Sequence, residues 1–285
     1  RCLTCRNCES TCPSGVEYGK LVDIGRKWAE EKTAPRPSAE RITRWLLKEG
    51  LTSPTLFNTA MTMGRLVRPL MPETLKRKIL QGLPAGERPQ RHHTRKMLIL
   101  EGCVQPGMLP NINNATIRVF DALSIELISS NKAGCCGALR YHLNDQNGGL
   151  ADAKRNIDAW WPSIENGKDS VEAIVMNASG CGVMVKDYGH LLHDDPLYAS
   201  KAKCVSELCK DLSEIMPQFQ EQLVQKIGRD KKAGVVYQPP CTLQHGQQIR
   251  GKVEGLLESL GIGVNLCADS HLCCGSAGTY SVLQP

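Results

Sequence analysis

The sequence predicts an α+β chain, with an all-α N-terminal segment that starts in a run of cysteines, followed by two repeated α/β units that are also rich in cysteine. Three observations carry this. Residues 16–80 show helical spacing of apolar side chains and nothing that alternates as a strand does. From residue 97 short apolar runs alternate with helical stretches, the pattern of α/β units. One cysteine pattern also occurs twice. Cys103 and Cys241 are each followed, after 31 intervening residues, by Cys-Cys-Gly, as Cys135-Cys136-Gly137 and Cys273-Cys274-Gly275.

Residues 1–15 read as a loop punctuated by Pro13 and Gly15. Val16 to Glu31 is predicted to be an amphipathic helix with Leu21, Ile24 and Trp28 on one face. Ala39–Lys48 and Thr55–Pro69 are two further helices. Residues 81–96 form a Pro/Gly/basic linker in which His92 and His93 are expected to be exposed. In the first repeat, Met97–Leu100 is a strand leading to Cys103, Asn113–Leu123 a helix, Ser124–Ile128 a strand, Gly149–Ile164 a helix and Ala173–Met176 a strand that runs into Cys181. Ala202–Ile215 continues as a helix. In the second repeat, Gly234–Tyr237 is a strand leading to Cys241, Gln248–Leu260 a helix and Val264–Leu266 a strand. The expected domains are therefore 1–80 (helical), 81–96 (linker), 97–232 (first repeat) and 233–285 (second repeat). In both repeats the first cysteine directly follows a strand, where functional residues of α/β folds gather.

With 285 residues, 41% apolar and 22% charged, the composition is that of a soluble globular chain of two or three domains. No apolar run approaches the ~18 residues of a membrane helix. The chain opens at Arg1-Cys2 inside a motif and stops abruptly at Pro285, so it is expected to belong to a longer polypeptide. The net charge of +6 does not point to nucleic acid. It is concentrated in Lys76-Arg77-Lys78 and in Arg88 to Lys96, and a four-iron cluster with four thiolates contributes about −2 in return.

Fourteen cysteines are many for a reducing compartment, and their adjacent pairs and spacing fit metal better than disulfides. Cys2-x2-Cys5-x2-Cys8-x3-Cys12-Pro13 is the run of bacterial ferredoxins, which wraps thiolates around a 4Fe–4S cluster. In two-cluster ferredoxins the fourth cysteine of a run serves the other cluster, so Cys2, Cys5 and Cys8 are expected to hold one cluster and Cys12 to belong to a second. The spacing is unlike the separated pairs of zinc sites. A second candidate set is Cys103, Cys135, Cys136 and Cys181, and a third is Cys241, Cys273 and Cys274. Glycine at 137 and 275 permits the turn that aims two adjacent cysteines at one centre. By the repeat offset, a counterpart of Cys181 falls near position 319, beyond these residues. Cys204 and Cys209 match no repeat position and read as structural, and Cys267 has no counterpart in the first repeat. His245, four residues after Cys241, is a candidate to hydrogen-bond a cluster thiolate, or else a packed structural residue. No nucleotide fingerprint is present, Gly261-x-Gly263 being too short and preceding a strand.

The ferredoxin run followed by two C-x31-CCG units resembles the family with duplicated cysteine-rich "CCG" domains. That family includes components of heterodisulfide reductases and of anaerobic glycerol-3-phosphate dehydrogenases, together with lactate-utilisation iron–sulfur proteins. The likeness is greatest to its glycolate oxidase (glycolate dehydrogenase) iron–sulfur branch, through Leu100-Glu-Gly-Cys103-Val-Gln, Asn177-Ala-Ser-Gly-Cys181-Gly, Pro240-Cys241-Thr-Leu-Gln-His245-Gly and Cys273-Cys-Gly-Ser-Ala-Gly-Thr-Tyr280. The resemblance implies an electron-transfer subunit with two 4Fe–4S clusters in the ferredoxin-type domain of the full-length protein and scope for a further cluster in the CCG units. It also implies oxidation of glycolate to glyoxylate on a flavin-binding partner subunit, a quinone as electron acceptor, and a cytoplasmic location with peripheral association at the inner membrane. One departure matters. The heterodisulfide reductase members close each unit with Cys-x-x-Cys, whereas Cys181 is followed by Gly182, Val183 and Met184. A five-thiolate cluster is therefore not carried over, which weakens the alternative of a stand-alone thiol–disulfide reductase; the other alternative is the equivalent subunit of a lactate or glycerol-3-phosphate dehydrogenase.

Overall fold

The computed structural model describes residues 2–76, 79, 81–167, 170–228, 234–275 and 278–283. Arg77 and Lys78 of the basic run, and Ser276 and Ala277 of the last quoted motif, lie outside the described residues. The architecture is mixed α/β, mostly helical, with parallel sheets and a helical N-terminal region. The chain divides into two compact units that do not follow its order. One comprises Arg36–Asn177 and Met184–Cys209, the other Arg1–Pro35, Ala178–Val183 and Lys210–Pro285.

The first of these units is built on a parallel sheet. Strand β1 (Arg95–Ile99) lies between β2 (Ile125–Ser129) and β3 (Ile174–Met176), with Leu98 opposite both Ile128 and Ile174. Met97, Leu98, Ile99 and Leu100 are all buried. An unbroken apolar run of this kind marks a strand covered on both faces. Parallel neighbours require crossovers, which the helices Pro110–Ala122 and Gln146–Ile164 supply. Phe120, Ile157 and Trp160 of those helices are fully buried. Pro110 stands at the start of the first helix, where a missing N–H costs nothing. The second helix begins three residues earlier than expected because the Asp145 carboxylate accepts from the Gly148 N–H (3.1 Å).

The helices Ser38–Thr52 and Pro54–Val67 belong to the same unit. They are tied to it by Arg140, bidentate on Glu49 at 2.8 and 2.9 Å, by Lys48 on Asp145 at 3.0 Å, and by Arg65, which donates to the carbonyl oxygens of Gly107 and Met108. The linker is not freely solvated. His93 is half-buried, with Nε2 2.9 Å from Asp121 Oδ1, and its backbone N–H donates to Glu126, while His92 remains exposed but reaches Glu126 as well. Two acidic residues on the neighbouring helix and strand draw it in.

The expected helix Ala202–Ile215 is interrupted. Helix Ala199–Leu208 gives way to a short strand, β4 (Cys209–Asp211), and Asp211 then caps a new turn, Leu212–Ile215, in a capping box with Glu214. Both partners of that box, Asp and Glu three apart, are visible in the sequence, and they compete with helix continuation.

The other unit holds the N-terminal cysteine run, the helix Tyr18–Lys32, and a two-stranded parallel sheet of β5 (Gly234–Tyr237) and β6 (Gly263–Leu266) joined through the helix Lys252–Ser259. That helix starts four residues later than expected, after Gly251 in the left-handed region (φ 71°). Leu21, Ile24 and Trp28 share a helix as predicted, yet are 56%, 66% and 63% exposed in this chain. Among the described residues no helix is long and apolar enough to cross a membrane.

Phe120→Ala is expected to lower stability by about 3–5 kcal/mol, because it empties a fully buried position. Leu197→Ala, at a largely exposed position, is expected to stay within about 0.5 kcal/mol. Urea unfolding of the two variants checks both, and equal midpoints would refute the assigned core.

Candidate functional site

Fourteen cysteines are present and none is joined in a disulfide. Nine of the eleven candidates fall into three groups whose surroundings can be built residue by residue; Cys12 has a cradle of its own, and Cys181 lies in a segment assigned to the unit that carries Cys241.

In the first group, Thr4 and Arg6 each adopt φ 57°, so the backbone turns left-handed once between Cys2 and Cys5 and once between Cys5 and Cys8. This coils the run, and the charges of Cys2 and Cys5 act on Cys8. Such conformations cost about 1–2 kcal/mol at a residue with a Cβ and persist only where neighbours enforce them. Arg26, from the helix Tyr18–Lys32, does so by donating to Thr4 Oγ1 (3.1 Å) and to the Cys2 carbonyl (2.6 Å). The Thr4 N–H points at Cys2 Sγ (3.3 Å). Cys8 lies on the short helix Asn7–Thr11, and the Cys8 thiol is pushed up chiefly by burial. Cys12 follows that helix in extended conformation and has a separate cradle: the N–H groups of Val16 and Ser14 hold its thiol below the ordinary range, with the Tyr18 hydroxyl adding to them.

The second group is in the same unit. Cys241 leaves β5 through Pro239-Pro240 and enters a π-helical turn, Thr242–Gly246. Three side chains lace this segment to the one that delivers Cys273 and Cys274. Gln238 donates to the Leu272 carbonyl (3.3 Å), Gln244 to those of Pro239 (2.9 Å) and Ser270 (2.8 Å), and His245 Nε2 to that of His271 (2.8 Å). Burial pushes the Cys241 thiol up, and Cys273 pushes it further; the charges of Cys5 and Cys274 act in the same sense. Ser10, between Cys8 and Cys12, is 2.7 Å from His245 Nδ1, which joins the first run to the segment of the Cys241 group across 235 residues of sequence. His245 is buried and spends its nitrogens on His271 and Ser10 rather than on a thiolate.

The third group, Cys103 with Cys135 and Cys136, lies in the other unit. Cys103 follows β1 in a loop braced by the amides of buried Asn113 and half-buried Gln105 and Asn177. Gln105 donates to Asn113 (2.7 Å) and Asn177 (2.9 Å), and Asn113 to the Glu101 carbonyl (3.1 Å). Cys135 and Cys136 are buried, and their carbonyls are fully engaged: Asn156 and Arg155 donate to Cys135 (2.8 and 3.2 Å), and the Tyr188 hydroxyl to Cys136 (2.7 Å). Gly137 sits at φ 91°, and a Cβ there would lie 2.5 Å from the Gly149 carbonyl, so only glycine makes this turn. Hydrogen bonds from Cys103 and then Cys136 hold the Cys135 thiol far below the ordinary range, against burial and with help from the Gly137 N–H and the Arg155 charge. Burial raises the Asp152 carboxyl, and the Cys135 charge raises it further.

Cys181 is on the helix Ser179–Lys186, in a segment assigned to the unit that carries Cys241. The start of that helix is tied to this unit by Ser179 Oγ against Thr242 Oγ1 (2.7 Å) and by Gln247 donating to the Ser179 carbonyl (3.1 Å). Cys209 is buried and Cys204 half-buried with its thiol raised by burial, as befits structural residues. Cys267 is half-buried just after β6, where its N–H donates to the Tyr237 carbonyl.

These residues suit iron–sulfur clusters. Soft thiolate donors are gathered in threes, and a backbone N–H two residues on points at sulfur in two of the groups, Thr4 at Cys2 and Gly137 at Cys135. Among the described residues no three His, Cys, Asp or Glu side chains close tightly enough to hold a single metal ion. Arg26, Asn156, Tyr188 and Arg155 carried no sequence signal, since each is a lone residue on a helix whose partner is set by tertiary packing.

The family model described as a cysteine-rich domain (CCG) matches residues 97–186 and 235–285. The chain is 49% identical over its full length to the glycolate oxidase iron–sulfur subunit of Escherichia coli (strain K12), spanning 69% of that protein. It is 28% identical over 99% of its length to the probable glycolate oxidase iron–sulfur subunit of Bacillus subtilis (strain 168), spanning 68% of it. Lactate utilization protein A of the same Bacillus strain is 27% identical over 66% of the chain.

Tyr188→Phe strands the buried Cys136 carbonyl without its donor. It is expected to cost about 1–3 kcal/mol, read as a lowered urea midpoint. An unchanged midpoint would show that the hydroxyl does not brace the cysteine pair.

Proposed function

The chain belongs to the family of glycolate oxidase iron–sulfur subunits, and on that premise we propose that it is the electron-transfer subunit of a glycolate-oxidising complex. Electrons from glycolate, oxidised to glyoxylate on a flavin-bearing partner, would pass through this subunit towards a quinone. The observation that supports the reading most is the 2.7 Å hydrogen bond between Ser10, which lies between Cys8 and Cys12, and His245, on the turn that follows Cys241. A relay needs its redox centres close together, and this bond ties together two cysteine-bearing segments from opposite ends of the chain.

Clusters bound at such thiolates supply one-electron redox chemistry. In this reading Cys2, Cys5 and Cys8 hold a 4Fe–4S cluster, Cys12 serves a second, and Cys103, Cys135, Cys136 and Cys181 with Cys241, Cys273 and Cys274 provide the remaining metal-ligand thiols. The chain's own work is placement. Arg26 holds the first left-handed turn of the run, at Thr4. Asn156, Arg155 and Tyr188 fix the Cys135–Cys136 pair through its carbonyls. N–H groups directed at sulfur favour the anionic ligand, which shifts a cluster's potential upward. Glycolate is favoured over lactate as the substrate of the complex because the full-length relatives at 49% and 28% identity carry the glycolate oxidase name, whereas the lactate-utilisation protein matches two-thirds of the chain. The proposed domains are a helical ferredoxin-type domain (1–80), a linker (81–96) and two CCG cysteine-rich domains (97–232 and 233–285). Docking to a membrane is assigned to partner contacts at the inner face, so the subunit works as a peripheral protein.

Anaerobically purified full-length protein is expected to contain iron and acid-labile sulfide, to show reduced-cluster EPR signals, and to support glycolate-dependent dye reduction when its flavoprotein partner is added. Cys5→Ser is expected to remove the signal of one cluster and to abolish that dye reduction, whereas Cys204→Ser leaves both unchanged. Zinc in place of iron, or full cluster content in Cys5→Ser, would refute the assignment.

A further inference from the structure

His245 is 2% exposed, and its ring touches the segments that carry two different cysteine groups. Nε2 lies 2.8 Å from the carbonyl oxygen of His271, two residues before Cys273. Nδ1 lies 2.7 Å from Ser10 Oγ, and Ser10 stands midway between Cys8 and Cys12. Arg250 Nη2 approaches the same Nδ1 at 3.3 Å, and Arg250 also donates from Nε to the Gln244 carbonyl. His245 itself follows Cys241 by four residues, on the π-helical turn.

The tautomer follows from the partners. A carbonyl only accepts, so Nε2 carries the proton. A guanidinium only donates, so Nδ1 is bare and also receives the Ser10 hydroxyl. That hydroxyl has a second acceptor at 3.1 Å, the Asn7 carbonyl, and the shorter contact is the one to the imidazole. The ring is thus a neutral imidazole with one donor and one acceptor, each used on a different cysteine-bearing segment. Buried polar groups satisfied on both sides hold their partners in one geometry. The surrounding turn is closely packed on another side as well, since a Cβ on Gly246 would lie 2.7 Å from Val183.

We infer that His245 is a positioning residue that sets the separation of the Cys2/Cys5/Cys8 centre from the Cys241/Cys273/Cys274 centre, and with it the electronic coupling between them. This rests on the reading of both groups as redox centres. It differs from a thiolate hydrogen bond, which would tune one centre's potential and leave the separation alone.

The test uses EPR of the reduced full-length holoprotein, with iron and sulfide analysis of each sample. The parent protein is expected to show a spin–spin interaction between the Cys2/Cys5/Cys8 and Cys241/Cys273/Cys274 centres, identified as the part of the interaction that Cys241→Ser removes. Ser10→Ala, which removes the link to the first run and leaves the ring in place, is expected to keep full iron content and to lose most of that interaction. His245→Ala is expected to do the same or more. His245→Gln, whose amide offers one donor and one acceptor, is expected to restore it in part. An undiminished interaction in both Ser10→Ala and His245→Ala would overturn the proposal. So would loss of iron in His245→Ala together with a parent-like Ser10→Ala, because His245 would then be structural only. Absence of two paramagnetic centres in the parent protein would instead overturn the redox reading itself, before any variant is made.

Discussion

Thiolates repel one another, and a chain that gathers several of them must supply positive charge or directed donors within a few ångströms. The rest of this structure is arranged around that constraint. Backbone N–H groups point at Cys2, Cys12 and Cys135. Arg155 adds a full charge beside Cys135. Where such donors are fewer, as at Cys241, burial and the neighbouring thiols push the group towards its neutral form. Metal cations are the natural counter-charge for sites of this kind, and the protein contribution is to hold the ligands where a cluster can take them.

Holding them takes two distinct devices. The N-terminal run is short, and its shape comes from left-handed backbone turns at Thr4 and Arg6, the first of which is fastened from outside by Arg26. The Cys135–Cys136 pair is gripped through its carbonyls by Asn156, Arg155 and Tyr188. Adjacent cysteines alternate in direction along extended backbone, and the turn at Gly137 changes that. The glycine is required twice over, by its positive φ and by the nearness of the Gly149 carbonyl.

Helical and strand periodicity placed most elements correctly because burial of an apolar stripe or run is a local property of the sequence. It missed where competing local chemistry wins. Asp211 and Glu214 stop one expected helix, and Asp145 starts another early. The amphipathic helix Tyr18–Lys32 shows a further limit, since periodicity reports the helix but not what covers Leu21, Ile24 and Trp28.

The sequence by itself determined which residues are ligand candidates and how they group along the chain, because cluster ligation is written in short, fixed cysteine spacings. It also determined the α/β texture of the repeats and the family. Only the tertiary structure decided which groups are neighbours. Residues 1–35 pack in one unit with 210–285, and the segment 178–183 that carries Cys181 joins them. Such pairings depend on long-range packing, and no local spacing encodes them. The same reason explains His245. Its interest lies in Ser10 on one side and His271 on the other, partners 235 and 26 residues away that only a folded chain brings to one ring.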